Sequence, residues 1–564
     1  MIEIKKQIAA ALSAATNDAI SAEDAFSALE YPPSPELGDL AFPCFRLSRA
    51  LHKAPPAIAA ELVERFTCPA VERTVVAGGY LNLFIDKTYL ASYIIEKTSS
   101  DDKPYGASLD GAGKTVVLDY SSPNVAKPFH IGHLGTTVIG HSLKKLHEFA
   151  GYHCIGINYL GDWGTQFGKM IVAYRKWGDK ATIEREEIDA LVALYVRFHA
   201  EAEKDPALDD EARAEFHKLE CGDPENLALW KWFIEISLRE YKKTYKLLGI
   251  EFDSYAGESF YTDKMPAQVE LLRKRGLLEI DDGASIVNLE KYNMPPCLIL
   301  KRDGSTLYPT RDIAAAVYRK NTYHFDKAIY VTSAGQSLHF AQWFKVVELM
   351  GYDWYDQLVH VPYGTVSIDG AKLATRTGNV VLLKDLFAAA IEKSRAIIEE
   401  KNPSLENKDE VADAVGVGAI IFHYLMGSRI KDINFVMEDA LSFDGNTGPY
   451  AQYTYARTRS ILGKADGTPA EKVTVSAPEE GALALCIAQF PERVKSAIAD
   501  YEPSTITRYI LDLCAAFNRF YHACPILGAE DKDVRATRVA LVRAASQVLG
   551  NALHLICIKT PEKI

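Results

Sequence analysis

The stretch YSSPNVAKPFHIGHLGTTVIG, Tyr120 to Gly140, decides how the chain is read. Before it comes an apolar run, Thr115-Val116-Val117-Leu118-Asp119, with the length and β-branched content of a buried strand. After it, Leu134, Val138, Leu143, Leu146 and Phe149 recur at helical spacing. The segment therefore predicts strand, Ser/Pro/Asn-rich turn, helix. His130, Gly132 and His133 stand where the helix begins, an end with free N–H groups and the positive pole of the helix dipole. Two imidazoles that can donate hydrogen bonds, a glycine that admits a ligand to the backbone and Lys127 nearby make a cradle suited to a polyphosphate.

Two histidines three residues apart are in general surface or packing residues. The strand–turn–helix setting and the flanking S-S-P-N-x-x-K-P-F change that reading. His130-Ile131-Gly132-His133 resembles the HIGH signature of class I aminoacyl-tRNA synthetases, and the longer stretch resembles its arginyl-tRNA synthetase form.

At 564 residues the chain is long enough for about three or four domains, with ordinary contents of 48% hydrophobic and 24% charged residues. Nine cysteines are scattered without a C-x-x-C, which argues against structural zinc and disulfides and for a reducing compartment. No stretch approaches a membrane span and the amphipathic start is not a signal peptide, so a cytoplasmic protein is expected. A net charge of −12 tells against a general nucleic-acid binder and leaves room for one RNA met through local basic patches.

Residues 1–110 read as a small α+β module, with a Pro-rich loop at 31–35 and Gly38-Asp39-Leu40-Ala41-Phe42-Pro43. The family carries here an additional domain that touches the tRNA corner; a dimerisation or purely structural module is the alternative. From 111 to about 400 strands and helices alternate, as in a parallel, Rossmann-like sheet. Cys154–Leu160 is its second strand, leading into G-D-W-G-T-Q-F-G (161–168), which resembles the family and should share a cleft with the first turn, because ligands sit at strand carboxyl ends. A charged helical insertion occupies about 175–265 and carries no assigned chemistry. The second half of the fold is expected at Ser285–Leu289 and Cys297–Leu300. Thr306–Tyr308 is then extended, and Arg311 begins a helix that puts Tyr308 and Asp312 in one site. Strands follow at Lys327–Thr332 and Leu358–Ile368. From 410 to 564 the periodicity is all-α. Its helix after Thr447-Gly448-Pro449 sets Tyr450, Tyr453 and Arg457 on one face, suited to unstacked RNA bases or equally to helix packing.

The resemblance extends through these motifs, in order, over nearly the whole chain. It implies an α/β class I catalytic domain between an N-terminal module and an all-α anticodon-binding domain of the D-A-L-R type, here with Ala540 in first place. It implies an arginine–tRNA ligase that forms arginyl-adenylate from L-arginine and ATP and passes arginine to tRNA(Arg), with tRNA needed for activation. His130, His133 and Lys127 would meet the phosphates, joined by Lys372 and Arg376 from a loop resembling the KMSKS loop; Gly132 and His339 would contact ATP. Mg²⁺ accompanies ATP, and no protein metal site is implied. Lys127 fits the loop's departure from consensus, where Thr375 replaces the second lysine. Arginine's five-donor fork calls for carboxylates, supplied by Asp119 and Asp312, with Ser122, Asn124, Tyr308 and Gln336 as further pocket groups. A structural ion pair with Arg311 is the alternative use of those acids. Tyr450, Tyr453 and Arg457 would meet tRNA, and a monomer is expected. A synthetase for another amino acid, or a non-catalytic RNA-binding paralogue, are the rival readings.

Overall fold

The computed structural model describes residues 1–100, 103–127, 129–302, 304–368, 371–372, 381–443, 445–465 and 471–564, with backbone only at 368, 371 and 372. Its centre is a four-stranded parallel sheet in the order Leu358–Tyr363, Lys327–Ser333, Thr115–Asp119, His153–Ile157. The two inner strands are buried almost throughout, which their Val/Ile/Leu-rich runs require. From Thr115–Asp119 the chain moves first to one side and then back across to the other. The crevice between that strand and Lys327–Ser333 is therefore the topological switch point, and Asp119 ends the strand at its rim.

The helix Leu134–Phe149 covers the sheet and is buried along most of its length. It approaches so closely that a Cβ on Gly140 would lie 2.3 Å from Tyr120. Five further helices, Thr165–Trp177, Lys180–Glu186, Ile188–Ala202, Ala207–Glu220 and Pro224–Leu248, form the insertion.

Three expectations change here. The strand expected at Leu358–Ile368 breaks at Gly364, where the chain passes close to Lys431: Leu358–Tyr363 edges the parallel sheet, while Val366–Ile368 leaves it and pairs with Ile433–Phe435. Ser285–Leu289 and Cys297–Leu300 do not extend the parallel sheet. Ala284–Val287 and Cys297–Leu300 join Leu278–Asp281 in a separate antiparallel sheet. The reason is local: Asp282-Gly283, both at positive φ (47° and 81°), closes a tight hairpin. The helix expected at Arg311 begins instead at Tyr308, because Pro309 is already set for a first helical turn.

The N-terminal module packs Ile2–Ala15 and Pro55–Arg65 with a sheet ordered Leu40–Pro43, Tyr80–Ile85, Val71–Ala77. Asp39 of the G-D-x-A-F-P stretch accepts from Ile85 N–H (2.8 Å) and Lys87 (2.6 Å). At the other end, helices from Lys408–Met426 to Lys532–Leu555 build the C-terminal bundle. It is helical apart from Ile433–Phe435, a three-residue strand parallel to Val366–Ile368. No described helix is long and apolar enough to cross a membrane.

Candidate active site

A cavity of about 510 Å³ opens at the switch point. It gathers Asp119, Ser122, Asn124, Tyr308, Asp312, Gln336 and His339, together with His133 of the helix-start turn and Gly161 of the second loop. These residues come from five separate stretches of the sequence. Lys127, His130 and Gly132 belong to the same turn but do not line the cavity. Of Lys372 only the backbone, and of Arg376 nothing, lies within the described residues.

The turn itself is strained. Ser121, Ser122 and Ala126 hold φ of 71°, 47° and 59°, a conformation that costs a non-glycine residue about 1–3 kcal/mol. What holds them there is the insertion, whose sequence carries no catalytic motif. From helix Pro224–Leu248, the Tyr241 hydroxyl donates to the carbonyls of Asn124 (2.7 Å) and Lys127 (2.8 Å). Ser237 accepts from Ala126 N–H at 3.0 Å, and the Tyr245 hydroxyl meets Ser121 Oγ at 2.7 Å. Ser237, Tyr241 and Tyr245 are spaced by four, so one face of one helix carries all three. That spacing was the available signal. Asn124 is seated against Gly161, where a Cβ would fall 2.1 Å from its Oδ1.

The His130 and His133 rings lie 4.0 Å apart between centroids, tilted by 42° to each other. Nδ1 of His130 accepts from Gly132 N–H at 3.1 Å, and Nδ1 of His133 from His130 N–H at 3.3 Å. Both rings thereby carry their proton on Nε2. Burial lowers the pKa of each, and that of His133 to about 3. They are neutral donors at physiological pH. Burial also lowers that of Lys127. The segment that follows the basic loop is fastened to this turn: Ile131 N–H donates to Val381 O (3.2 Å), and Leu383 N–H to Phe129 O (2.9 Å).

On the opposite wall, Asp312 Oδ2 lies 2.6 Å from His339 Nε2. Neither acid pairs with Arg311. Asp119 accepts from Ser122 Oγ (2.9 Å) and lies 2.8 Å from Arg319, while Arg311 takes Glu258 at 2.5 Å. Burial raises the Asp119 pKa against the pull of Arg319 and Ser122. It raises that of Glu258 to about 7, with Arg311 pulling down and Asp312 and Asp162 pushing up. Glu258 and Arg319 both border the cavity and neither was foreseen. Asp162 of G-D-W-G takes Ser259 N–H (2.8 Å) and Oγ (2.6 Å), which holds the Glu258 segment in place.

Far from this cavity, Tyr453 (42% exposed) and Tyr521 (39%) flank the Arg457 guanidinium at 5.0 and 5.2 Å. Asn518 ties the group together, donating to the Tyr450 hydroxyl (2.8 Å) and accepting from Arg457 (2.9 Å).

Comparison with known proteins shows the family of the chain. The family model for class I (R) tRNA synthetase catalytic domains matches residues 97–437. Those for the arginyl tRNA synthetase N terminal domain and the DALR anticodon binding domain match 3–85 and 451–564. The chain is 52% identical over 551 residues to the arginine–tRNA ligase of Alkaliphilus metalliredigens, covering 97% of each. It is 51% identical over 538 residues to that of Clostridium botulinum (strain Okra), covering 95% of this chain and 96% of the other. Among solved structures it superposes on the Thermus thermophilus arginyl-tRNA synthetase with a TM-score of 0.81 at 27% identity, over 95% of this chain and 96% of that one. The chain belongs to the class I arginyl-tRNA synthetases, ligases for which arginine, tRNA and ATP are the substrates.

Proposed function

We propose that the switch-point cavity seats L-arginine with its guanidinium toward Asp312 and its α-amino end toward Ser122 and Asn124, while the turn at His130–His133 receives the phosphates of ATP. One observation carries this reading: the Asp312 carboxylate and the neutral His133 imidazole of the helix-start turn line one cavity, with the His130 ring beside His133 in that turn. A guanidinium is always charged and fits a carboxylate bidentately. Phosphate fits N–H donors at a helix start.

The arginine carboxylate then attacks the α-phosphorus, pyrophosphate leaves, and the terminal ribose hydroxyl of tRNA(Arg) next displaces AMP. Little covalent work falls to the protein, so positioning and charge stabilisation carry the rate. The Nε2–H groups of His130 and His133, with Lys127, stabilise the phosphates. Lys372 and Arg376 add cationic charge from their loop, Gly132 and His339 contact ATP, and Tyr308 and Gln336 complete the amino-acid pocket. Mg²⁺ rides on ATP. The donors at the phosphate end are imidazole and ammonium, which suit phosphate oxygens, and among the described residues no three His, Cys, Asp or Glu gather for a metal.

Tyr450, Tyr453 and Arg457 meet the anticodon region by stacking, in keeping with their exposed aromatic–guanidinium cluster. Activation depends on bound tRNA. The insertion supports this, because it clamps the strained turn and so offers a route by which a partner on the outside biases the site. The chain is taken to act as a monomer in the cytoplasm. The module divisions are placed at 1–110, 111–400 and 410–564. Pyrophosphate exchange with a panel of amino acids, with and without tRNA, tests the proposal. Exchange with arginine only, and only with tRNA, is expected; exchange with another amino acid, or equal exchange without tRNA, overturns it.

A further inference from the structure

The helix Tyr308–Tyr323 lies along the cavity with one face, and exposure falls steadily down that face. Tyr308 is 64% exposed, the Asp312 side chain 19% and the Arg319 side chain 1%. The helix runs from mouth to floor, and Ala315 between the acid and the arginine leaves the space open. Asp312 and Arg319 are seven residues apart, an axial rise of about 10 Å. Helical side chains lean toward the N-terminus, so the Arg319 side chain leans back toward the acid.

The Arg319 guanidinium sits in a closed socket. It is 2.8 Å from Asp119 Oδ2 and 5.1, 5.7 and 5.8 Å from the ring centroids of Tyr159, Tyr261 and Tyr330. None of its three nitrogens has an aligned hydrogen-bond acceptor. Charge and ring faces hold it, and a buried cation needs such a partner to persist. Among the described residues, three carboxylates border the cavity, and the chain's own guanidinia occupy two of them. Asp119 has Arg319 and Glu258 has Arg311, whereas Asp312 meets the His339 imidazole.

We propose that Arg319 is the specificity-determining floor of the amino-acid pocket: a built-in guanidinium that occupies Asp119 and stops the incoming fork at Asp312. The assignment rests on the proposal that arginine enters this cavity. Its consequence is a limit on side-chain length. With the floor fixed, a side chain one methylene longer cannot place its fork at Asp312 without lifting its carboxylate away from the phosphate end.

The test compares L-arginine with L-homoarginine in tRNA-supported pyrophosphate exchange, for the wild type and for R319M, R319K and D312N. A single methylene is discriminated by about 10- to 200-fold in a fitted pocket. In R319M the homoarginine-to-arginine ratio of kcat/KM is expected to rise at least about 10-fold with KM for ATP unchanged. R319K, which keeps the charge on a slimmer head, should show a smaller rise of about threefold or more. Equal loss of both substrates, leaving the ratio fixed, marks Arg319 as a support of stability alone and overturns the proposal. If R319M does not fold, R319K decides by the same ratio. D312N separates the two levels. If it keeps wild-type kcat/KM for arginine, the pocket reading itself fails; if it loses arginine while the Arg319 variants keep the ratio, only the floor assignment fails.

Discussion

Replacing Tyr241 by Phe removes one hydroxyl and leaves a ring that packs 5.2 Å from Phe129. The hydroxyl serves two main-chain carbonyls, those of Asn124 and Lys127, at 2.7 and 2.8 Å. Leaving a buried acceptor without its donor costs about 1–3 kcal/mol. Ser122 and Ala126, close to the clamped carbonyls, sit in left-handed conformations that cost about the same each. Clamp and strain are therefore of equal size, and without the clamp the turn relaxes. A shift of 1–3 kcal/mol lowers the population of the competent turn by about 5- to 150-fold. Because Asn124 lines the cavity and Lys127 serves the phosphate end, kcat/KM should fall in that range for arginine and for ATP alike. Steady-state pyrophosphate exchange at saturating tRNA measures it, with thermal melting alongside. The melt should move by only a few degrees, since the buried ring is retained. Wild-type kcat/KM for both substrates in Y241F would refute the clamp. So would a loss of activity that merely tracks a loss of folded protein.

Gly161→Ala forces a Cβ to within 2.1 Å of Asn124 Oδ1, so Asn124 must move by about 1 Å. Such misplacement costs roughly 100-fold, expected here in kcat/KM for arginine; an unchanged value contradicts the seating of Asn124. Stability should also depend on pH in a definite direction. Burial holds the pKa of His133 down to about 3, that of His147 to about 4 and that of His141 well below the ordinary imidazole value. Unfolding restores them to about 6.5, so below that pH the unfolded chain takes up the protons. Each such histidine then removes up to about 1.4 kcal/mol per pH unit. Glu258, raised to about 7, works the other way and offsets one of the three as pH falls. The melting temperature should decline from pH 6.5 to 5; a flat or rising profile contradicts the buried, neutral histidines.

The parts of this molecule that could be read from sequence are those whose signal is local. Thr115–Asp119 is an apolar run, the turn after it carries Pro and Asn, and the next helix repeats at its own period. The positions Tyr308 and Asp312 follow from helical spacing, even though the helix starts earlier than expected. Pro309 held that information. The hairpin at Asp282-Gly283 was also written locally, in a dipeptide suited to a tight turn. Partners are another matter. Four-residue strands such as Ala284–Val287 do not specify which sheet they join, and Ile433–Phe435 is too short to register inside a helical stretch. Which guanidinium meets which acid depends on tertiary placement. Arg319 reaches Asp119 across 200 residues, and Glu258 meets Arg311 from the far end of the insertion. The insertion's own role was hidden because its exposed, charged face dominates its composition, while the three residues that hold the turn are a minority on its buried side.

The most direct measurement of the central claim is charging of bulk tRNA with labelled arginine by the wild type and by Asp312→Asn, an isosteric change that removes the charge and turns one acceptor oxygen into an N–H₂ donor. If Asp312 is the carboxylate that reads the guanidinium, the wild type charges arginine and the variant loses at least 100-fold in kcat/KM for arginine (about 2.7 kcal/mol), as expected of a charge-assisted bidentate pair in a buried site. Its KM for ATP should stay near the wild-type value. A variant that charges arginine as well as the wild type would place the guanidinium elsewhere and remove the basis for the pocket described here.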